Sequence, residues 1–168
     1  ESEEDLTLIP YPLWNNRGRG QMMVWLPTSP ETAKPLPAPT IAYRSRLTAS
    51  KETRALSSIK DQYEPANSND HSWPYYHWWP DKDRWEWVQY DFEKPATISG
   101  TKVYWFDDGP NGGCRIPDEW ELLYRKGNSW SPVKPQNEYK VTKDAWDMLD
   151  FEPVMTTAVR LRVKLSRD

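Results

Sequence analysis

The sequence predicts an all-β protein, a two-sheet antiparallel jelly-roll sandwich with an N-terminal hairpin appendage. Residues 85–92 alternate strictly between two faces, which is the period of a strand. Further runs of β-branched and aromatic residues are separated by segments rich in Gly, Pro, Asn and Asp. No segment carries the 3.6-residue apolar period of an amphipathic helix. We therefore expect sheet to pack on sheet.

The chain divides into three parts. Residues 6–14 and 21–26 are strand-like runs on either side of a turn rich in Gly and Asn, so we predict a hairpin within residues 1–27. Residues 28–39 are rich in proline and lack an apolar period, which is typical of a stiff, extended linker. The predicted sandwich occupies residues 40–168, and the linker marks its boundary.

The predicted strands of the sandwich follow one another with loops and turns between them. They are residues 40–50, 85–92, 97–106, 119–125, 130–133, 147–151 and 158–165. Residues 51–69 are predicted to be irregular, and residues 93–96 are predicted to form a turn. Two loops, 71–84 and 107–115, carry many aromatic and polar side chains next to long strands. A two-sheet fold can bring these loops to one end.

Composition limits the classes of function. A formal net charge of −3 with mixed signs does not suit a nucleic-acid binder, which shows a basic face. No apolar run approaches the length of about 20 residues that a membrane-spanning helix requires. The single cysteine, Cys114, cannot form an intrachain disulfide, so it does not indicate a redox compartment. We expect neither nucleic acid nor a membrane as a partner.

The aromatic residues favour sugar binding. Eleven Trp and nine Tyr stand against three Phe, and Trp and Tyr combine a flat apolar ring with a polar edge. A sugar site needs such rings and a few polar groups to bind hydroxyls. The predicted sugar-binding residues are Trp73, Tyr75, Tyr76, His77, Trp78, Asp108, Asn111 and Arg115.

Each of these residues also has a structural interpretation. Arg115 can pair with Asp118 or Glu119, and Trp78 can close the end of the sandwich. His77 can be a hydrogen-bonded structural histidine. Core packing is the main alternative for the tryptophans as a group, because large rings fill sandwich cores.

The sequence does not predict an enzyme. It lacks a metalloprotease, nucleophile-elbow or phosphate-binding motif. Carboxylates such as Asp107 and Asp108 can be paired on paper as a glycosidase acid and nucleophile. Adjacent acids in a loop more often cap turns. We therefore expect no catalytic residues in this chain.

The sandwich region contains the stretches Trp-Val-Gln-Tyr-Asp-Phe, Lys-Pro-Ala-Thr-Ile-Ser-Gly-Thr-Lys-Val-Tyr-Trp-Phe and Cys-Arg-Ile-Pro-Asp-Glu-Trp-Glu-Leu-Leu-Tyr-Arg. These stretches resemble the discoidin or factor-V/VIII-type C domain, and the resemblance covers residues 40–168. It implies a galactose-binding-like jelly roll of the kind used as a carbohydrate-binding module by bacterial glycoside hydrolases.

The motifs Trp-Trp-Pro and Gly-Gly-Cys-Arg-Ile-Pro are similar to the version of this domain that ends bacterial proteins of the β-L-arabinofuranosidase type. Residues 8–27 are similar to the last hairpin of the region before that module. The resemblance implies a non-catalytic, glycan-binding C-terminal module of a longer glycoside hydrolase. It also implies a secreted or periplasmic location and contact with the parent catalytic domain. Members usually carry one further strand after the position of Asp168, so the sandwich is expected to lack its closing strand.

The resemblance also implies a structural calcium, because related modules hold one in a short loop after the first strand with Asp followed by Gly. Here Asp61 matches, and Gln62 replaces the glycine. Ser68 and Asp70 are the other predicted ligands, since hard cations bind clustered oxygens. The alternative is a set of turns in which these side chains bond their own backbone.

Two other functions stay open. The domain can brace the catalytic part of its parent without binding sugar, or it can bind lipid like the animal members of the superfamily. Lipid binding requires apolar loops with basic neighbours, whereas these loops are acidic. Bracing is therefore the main alternative to sugar binding.

Overall fold

The computed structural model describes residues 38–70 and 74–168. The predicted hairpin within residues 1–27, the linker up to residue 37 and the candidate Trp73 lie outside the described residues.

Most of the ordered elements in the described residues are strands. They are preceded by a short helix, α1 (Ile41–Arg44), and interrupted by one 3-10 turn (Leu56–Lys60). The strands are β1 (Arg46–Ala49), β2 (Trp85–Tyr104), β3 (Glu119–Lys126), β4 (Ser129–Pro132) and β5 (Trp146–Lys164). They pair antiparallel in the order β1-β2-β5-β3-β4. The all-β prediction is confirmed.

The sheet is built around the pairing of β2 with β5, which are 20 and 19 residues long. Their register shifts between Asp91 and Ala96 and again between Ile98 and Gly100. Pro95 lies in the first irregular stretch on β2, and Pro153 faces the second from β5. Proline cannot donate a ladder hydrogen bond, so these residues favour irregularities at these points.

The irregular stretches allow β2 to fold back over itself. Trp105 follows Glu86 by 19 residues, a distance of roughly 60 Å along an extended strand. Glu86 and Trp120 both pair with Val163 and so lie close together. If β2 were straight, Trp105 would therefore lie far from Trp120. The Trp105 ring centroid is instead only 5.8 Å from that of Trp120. The two halves of β2 and β5 must therefore face each other as two layers of a sandwich.

A single hydrophobic core lies between the two layers. The first layer contributes Val88, Trp120, Leu122, Leu161 and Val163, and the second contributes Trp105, Leu149 and Phe151. Val133, just after β4, completes the core and donates its N–H to Leu122 O at 3.0 Å. The segment after β4 joins the second layer, because Glu152 donates its backbone N–H to Lys134 O at 3.0 Å. This arrangement gives the sandwich a core without a disulfide.

Three sequence predictions need correction. The predicted strand over residues 40–50 begins instead as a helical turn, because the Thr40 hydroxyl caps α1 by accepting from Tyr43 N at 3.1 Å. Residues 93–96 do not separate two strands, since β2 continues through them. The two last predicted strands are likewise one strand, β5. The strands predicted over residues 119–125 and 130–133 are confirmed as β3 and β4, which pair as a hairpin.

The outer face of the first layer carries a stack of alternating rings and cations, which we call the Trp–Arg stack: Trp87, Arg160, Trp130 and Arg125. The Arg160 guanidinium lies 4.3 Å from the Trp87 ring centroid and 4.4 Å from that of Trp130. Arg125 lies 5.1 Å from the Trp130 ring and pairs with Asp91 at 2.9 Å. Because side chains alternate between the two faces of a strand, the rings of Trp87 on β2 and Trp130 on β4 point away from the core. The cation–π contacts cover these rings.

Replacement of Leu149 by Ala tests the core between the layers. Leu149 is fully buried, so we expect Leu149→Ala to lower the free energy of unfolding by about 2–5 kcal/mol through lost burial and a residual cavity. Met148, the preceding residue, is 61% exposed, so Met148→Ala should change the free energy of unfolding by less than about 0.5 kcal/mol. Urea unfolding of both variants measures the difference. Equal effects would contradict the assignment of the buried face of β5.

Candidate functional site

The structure brings the two predicted loops together. The ring of Tyr75, from the first loop, stacks on Phe106 at the start of the second, with centroids 3.8 Å apart and planes 23° from parallel. A Cβ added to Gly113 would lie 2.7 Å from Nε1 of Trp79, so the second loop passes close to the indole of the first. The predicted convergence of the loops is therefore present in the fold.

A small polar pocket of about 230 Å³ lies where the loops meet. It is lined by Ser68, Asn69, Tyr75, Asp108, Asn111 and Gly112. Three of these residues, Tyr75, Asp108 and Asn111, belong to the predicted sugar-binding set. The pocket is smaller than the range of roughly 300–1,000 Å³ found for drug-sized ligands. Its size suits a single small ring.

Asp108 shapes the second loop. Its carboxylate accepts a hydrogen bond from Cys114 N at 2.8 Å, and its carbonyl accepts from Asn111 N and Gly112 N at 3.0 and 2.9 Å. A Cβ on Gly112 would lie 2.0 Å from the Asp108 carboxylate, so only glycine fits there. Asp108 thus lines the pocket while part of its hydrogen-bonding capacity is used by the loop.

Two amide side chains at the pocket are available to a ligand. Asn69 and Asn111 are exposed, and neither side chain has a hydrogen-bond partner among the described residues. An amide offers both a donor and an acceptor, which matches a sugar hydroxyl. Sequence reasoning missed Asn69, because residues 51–69 were interpreted as an irregular segment without a sugar-binding role.

A buried hydroxyl holds the pocket floor in place. Ser68 is 1% exposed, and both its N–H and its hydroxyl donate to the Asp144 carboxylate. Its oxygen also accepts from Asp107 N at 3.0 Å. Ser68 therefore joins three separate segments of the chain. Asp144 was not among the predicted site residues, since nothing in its local sequence points to a partner 76 positions earlier.

Two more of the predicted rings, Tyr76 and Trp78, pack against the core, whereas the neighbouring Trp79 lies at the surface. Tyr76 and Trp78 pack against the hydrophobic core and meet edge to face at 4.8 Å. The Tyr76 hydroxyl donates to the Lys51 carbonyl, which gives this residue a structural role. Trp79 is 56% exposed and is therefore the more accessible of the two adjacent tryptophans. A platform role for Trp73 remains a prediction outside the described residues.

Arg115 supports the second loop from within. It donates to the carbonyls of Gly112 and Cys114 at 3.0 and 2.8 Å. Its nearest carboxylates are those of Asp107 and Asp108, each at 3.8 Å. The structural alternative for Arg115 therefore involves these two acids and not Asp118 or Glu119.

Burial and nearby negative charge keep the Tyr75 phenol and the Cys114 thiol in their protonated forms. Burial, followed by the charge of Asp108, raises the pKa of Tyr75. The phenol is therefore neutral at physiological pH and can donate a hydrogen bond. Burial likewise raises the pKa of Cys114 to about 11, with Asp108 adding to the shift. Cys114 is consequently a thiol and not a reactive thiolate.

The three predicted calcium ligands make separate local interactions. Asp61 accepts from Tyr63 N at 3.0 Å, Asp70 accepts from Ala66 N at 3.1 Å, and Ser68 bonds Asp144. Gln62 adopts φ 66°, the left-handed conformation that suits the glycine of related loops. Within residues 38–70 and 74–168, no cluster of three or more His, Cys, Asp or Glu side chains is placed to hold a metal. Calcium binding stays a prediction, which melting curves with calcium and with chelator can test.

Comparison with known families and sequences concerns the start of the chain. Residues 1–27 match the model of the glycoside hydrolase family 127 C-terminal domain. No curated protein matches the chain.

Comparison with solved structures concerns the sandwich. The chain is similar to a family 32 carbohydrate-binding module, CpGH89CBM32-5 of Clostridium perfringens, solved with GalNAc-β-1,3-galactose. The identity is 16%, the TM-score is 0.52, and the match covers 76% of this chain and 88% of that one. It is also similar to the family 32 module of NanJ from C. perfringens in complex with galactose. There the identity is 14%, the TM-score is 0.51, and the match covers 75% of this chain and 85% of that one.

These similarities support the β-sandwich fold of the described residues. None of the described helices is both long and apolar enough to cross a membrane.

The reactivity of Cys114 tests the packing of the second loop. With a pKa of about 11, the thiolate fraction at pH 8 is on the order of 10⁻³, whereas an unfolded cysteine with a pKa of about 8.5 is roughly one-quarter ionised. We expect iodoacetamide to alkylate Cys114 at pH 8 on the order of 100-fold more slowly in buffer than in urea.

The variant Asp108→Asn should shift the pH profile of alkylation to lower pH, because it removes a negative charge beside the thiol. Asp118→Asn is the matched control, since Asp118 is exposed and does not contribute to the raised pKa of Cys114. A profile for Asp108→Asn that coincides with that of the parent would contradict the placement of Asp108.

Proposed function

We propose that this chain is a non-catalytic carbohydrate-binding module that binds a neutral glycan through the polar pocket between its two aromatic loops. The observation that supports this most is the composition of the pocket. One wall is the ring of Tyr75, which stacks on Phe106. The rim carries the side-chain amides of Asn69 and Asn111, which have no hydrogen-bond partner among residues 38–70 and 74–168. A flat ring beside planar polar groups is the combination that a sugar requires.

The charge of the pocket favours a neutral ligand. Asp108 lines the pocket, and Asp107 and Asp144 lie beneath it through their bonds to Ser68. The nearest cations, Arg115 and Lys143, are each 3.8 Å from the Asp107 carboxylate. Arg115 is also 3.8 Å from the Asp108 carboxylate, so two cations face the three carboxylates of Asp107, Asp108 and Asp144. The pocket therefore keeps an excess of negative charge that disfavours a uronate or another anionic sugar, and we assign the specificity to uncharged sugars.

The module serves, in this proposal, as an accessory part of a longer glycan-degrading protein. The match of residues 1–27 to a glycoside hydrolase C-terminal domain supports this context. The glycan and the catalytic domain of the parent are then its two partners. Because polysaccharides lie outside the cytoplasm, we include a secreted or periplasmic location in the proposal.

The affinity should be low. The pocket is shallow and small, and a single ring can make few ordered contacts there. We expect a dissociation constant nearer millimolar than nanomolar, which corresponds to a binding free energy of about 4–6 kcal/mol. Avidity from repeated sugar ends on one polysaccharide would strengthen attachment without any new contact.

Calorimetry on the whole chain tests the pocket, with galactose and with arabinose- and galactose-containing oligosaccharides as ligands. Tyr75→Ala should weaken binding about 2- to 10-fold through loss of the ring. Asn111→Ala should weaken it about 5-fold through loss of one hydrogen bond. Because Asn111 is exposed, its replacement should leave the melting temperature nearly unchanged.

Asn128→Ala is the matched control, since Asn128 lies between β3 and β4 and does not line the polar pocket. It should bind as the parent does. Equal affinities for Asn111→Ala, Tyr75→Ala and the control would place the site elsewhere. If the parent binds no sugar on the panel, bracing of a catalytic domain becomes the better interpretation.

A further inference from the structure

The polar pocket is lined by residues from separate segments of the chain. Ser68 and Asn69 precede the first aromatic loop, whereas Asp108 and Asn111 belong to the second. A sugar that bonds to both amides requires a fixed spacing between the two segments, because a hydrogen bond weakens steeply outside a narrow range of distance and angle. A residue that sets this spacing acts on the site even if it does not line the pocket.

His77 and Asp144 both lie next to the pocket without lining it. The ring centroid of His77 is 6.0 Å from that of Tyr75, but both residues belong to the first loop, so this contact does not join two segments. Asp144 bonds to Ser68 from a position 76 residues later in the chain. Of the two, Asp144 is therefore the residue that can place one segment against another.

A closed ring of hydrogen bonds joins the two segments. Asp144 donates its backbone N–H to the carbonyl of Trp105 at 3.2 Å. Its carboxylate accepts from the N–H of Ser68, at 2.6 Å, and from the Ser68 hydroxyl. The Ser68 oxygen in turn accepts from Asp107 N at 3.0 Å. Trp105 and Asp107 are two residues apart, so the chain itself closes the ring.

The ring connects the segment around Ser68 to the core. Trp105, which accepts the bond from Asp144, is 7% exposed and belongs to the hydrophobic core. Asn69 and Asp70 donate their backbone N–H groups to Asn67, at 2.8 and 3.0 Å. These local bonds shape the segment, whereas the bonds to Asp144 place it against the second loop.

Asp144 has a backbone conformation that few residue types adopt. Its φ is 58°, in the left-handed region that Gly, Asn and Asp tolerate best. The position also requires a short side chain with an acceptor oxygen, and glycine lacks one. Asp144 is itself exposed, so its replacement does not open a cavity in the core.

We propose that Asp144 is a positioning residue of the sugar pocket, which sets the spacing between Asn69 and the second loop through Ser68 and Asp107. This inference rests on the proposed function. It adds to the residues that contact the sugar one residue that holds them in place.

Replacement of Asp144 by glycine removes the carboxylate and keeps the left-handed turn, since glycine adopts this conformation freely. In calorimetry on the whole chain, Asp144→Gly should weaken galactose binding about 10-fold, because the two segments lose the bonds that fix their spacing. Asp144→Asn should restore the affinity to within about 2-fold of the parent, since an amide oxygen can accept both bonds from Ser68.

Asp83→Gly is the matched control. Asp83 also has a positive φ, 50°, and it forms ion pairs with Lys164 and Arg167. It does not line the polar pocket. The control variant should bind galactose as the parent does.

Hydrogen exchange measures the ring without any sugar. The amide of Asp107 donates to Ser68, so its exchange should accelerate about 10-fold in Asp144→Gly, where Ser68 is no longer held. Exchange of this amide should stay near the parent rate in Asp144→Asn and in Asp83→Gly.

A double-mutant cycle separates positioning from a general loss of stability. In the parent, Asn69→Ala should weaken galactose binding about 5-fold through loss of one hydrogen bond. In the Asp144→Gly background the same change should cost less than about 2-fold, because a displaced amide has little binding left to lose. Additive effects would mean that Asp144 does not position this amide, and they would overturn the proposal.

The other outcomes separate this proposal from the proposed function. Unchanged exchange at Asp107 in Asp144→Gly would show that the ring does not depend on Asp144. Faster exchange with unchanged galactose affinity would show that the pocket does not depend on the ring. Either result overturns the positioning role and leaves the sugar pocket standing. If the parent binds no sugar, the proposed function fails, and the positioning role fails with it.

Discussion

The pairing of β2 with β5 is the constraint on which the remaining structure depends. These strands contribute to both layers. β1 pairs with β2, β3 pairs with β5, and β4 adds to β3 at the edge. Their register breaks near Pro95 and Pro153, where a proline cannot complete the ladder. The bend at these breaks places apolar residues from both halves in one core. A straight β2 would leave each half with an unprotected face.

The same bend creates the candidate site. The first aromatic loop ends where β2 begins, and the second loop starts just after β2 ends. In an extended strand these points would be roughly 60 Å apart. The fold-back instead brings Tyr75 against Phe106 and places Trp79 over Gly113. The fold-back of β2 that closes the sandwich therefore also brings the two loops of the candidate site together.

The sequence predicted the fold class and the two loops because these depend on local pattern. The alternation of residues 85–92 and the breakers of residues 107–115 are visible without tertiary information. The sequence did not predict that β2 runs through residues 93–96. The pair Lys94-Pro95 is as typical of a turn as of an irregular stretch of strand. Asp144 was missed for a related reason. Its importance comes from Ser68, a partner that is distant in sequence.

The Trp–Arg stack changes what a tryptophan-rich composition means for this molecule. Without Arg160, the rings of Trp87 and Trp130 would form a contiguous apolar patch on the outer face of the sheet. Such patches promote self-association. The guanidinium of Arg160 between the two rings gives that patch a charged, hydrated outer layer. At high concentration, copies of this domain should therefore not associate through this face. A lysine at position 160 would shield the rings less well, because an ammonium lacks the flat surface that a guanidinium lays against an indole.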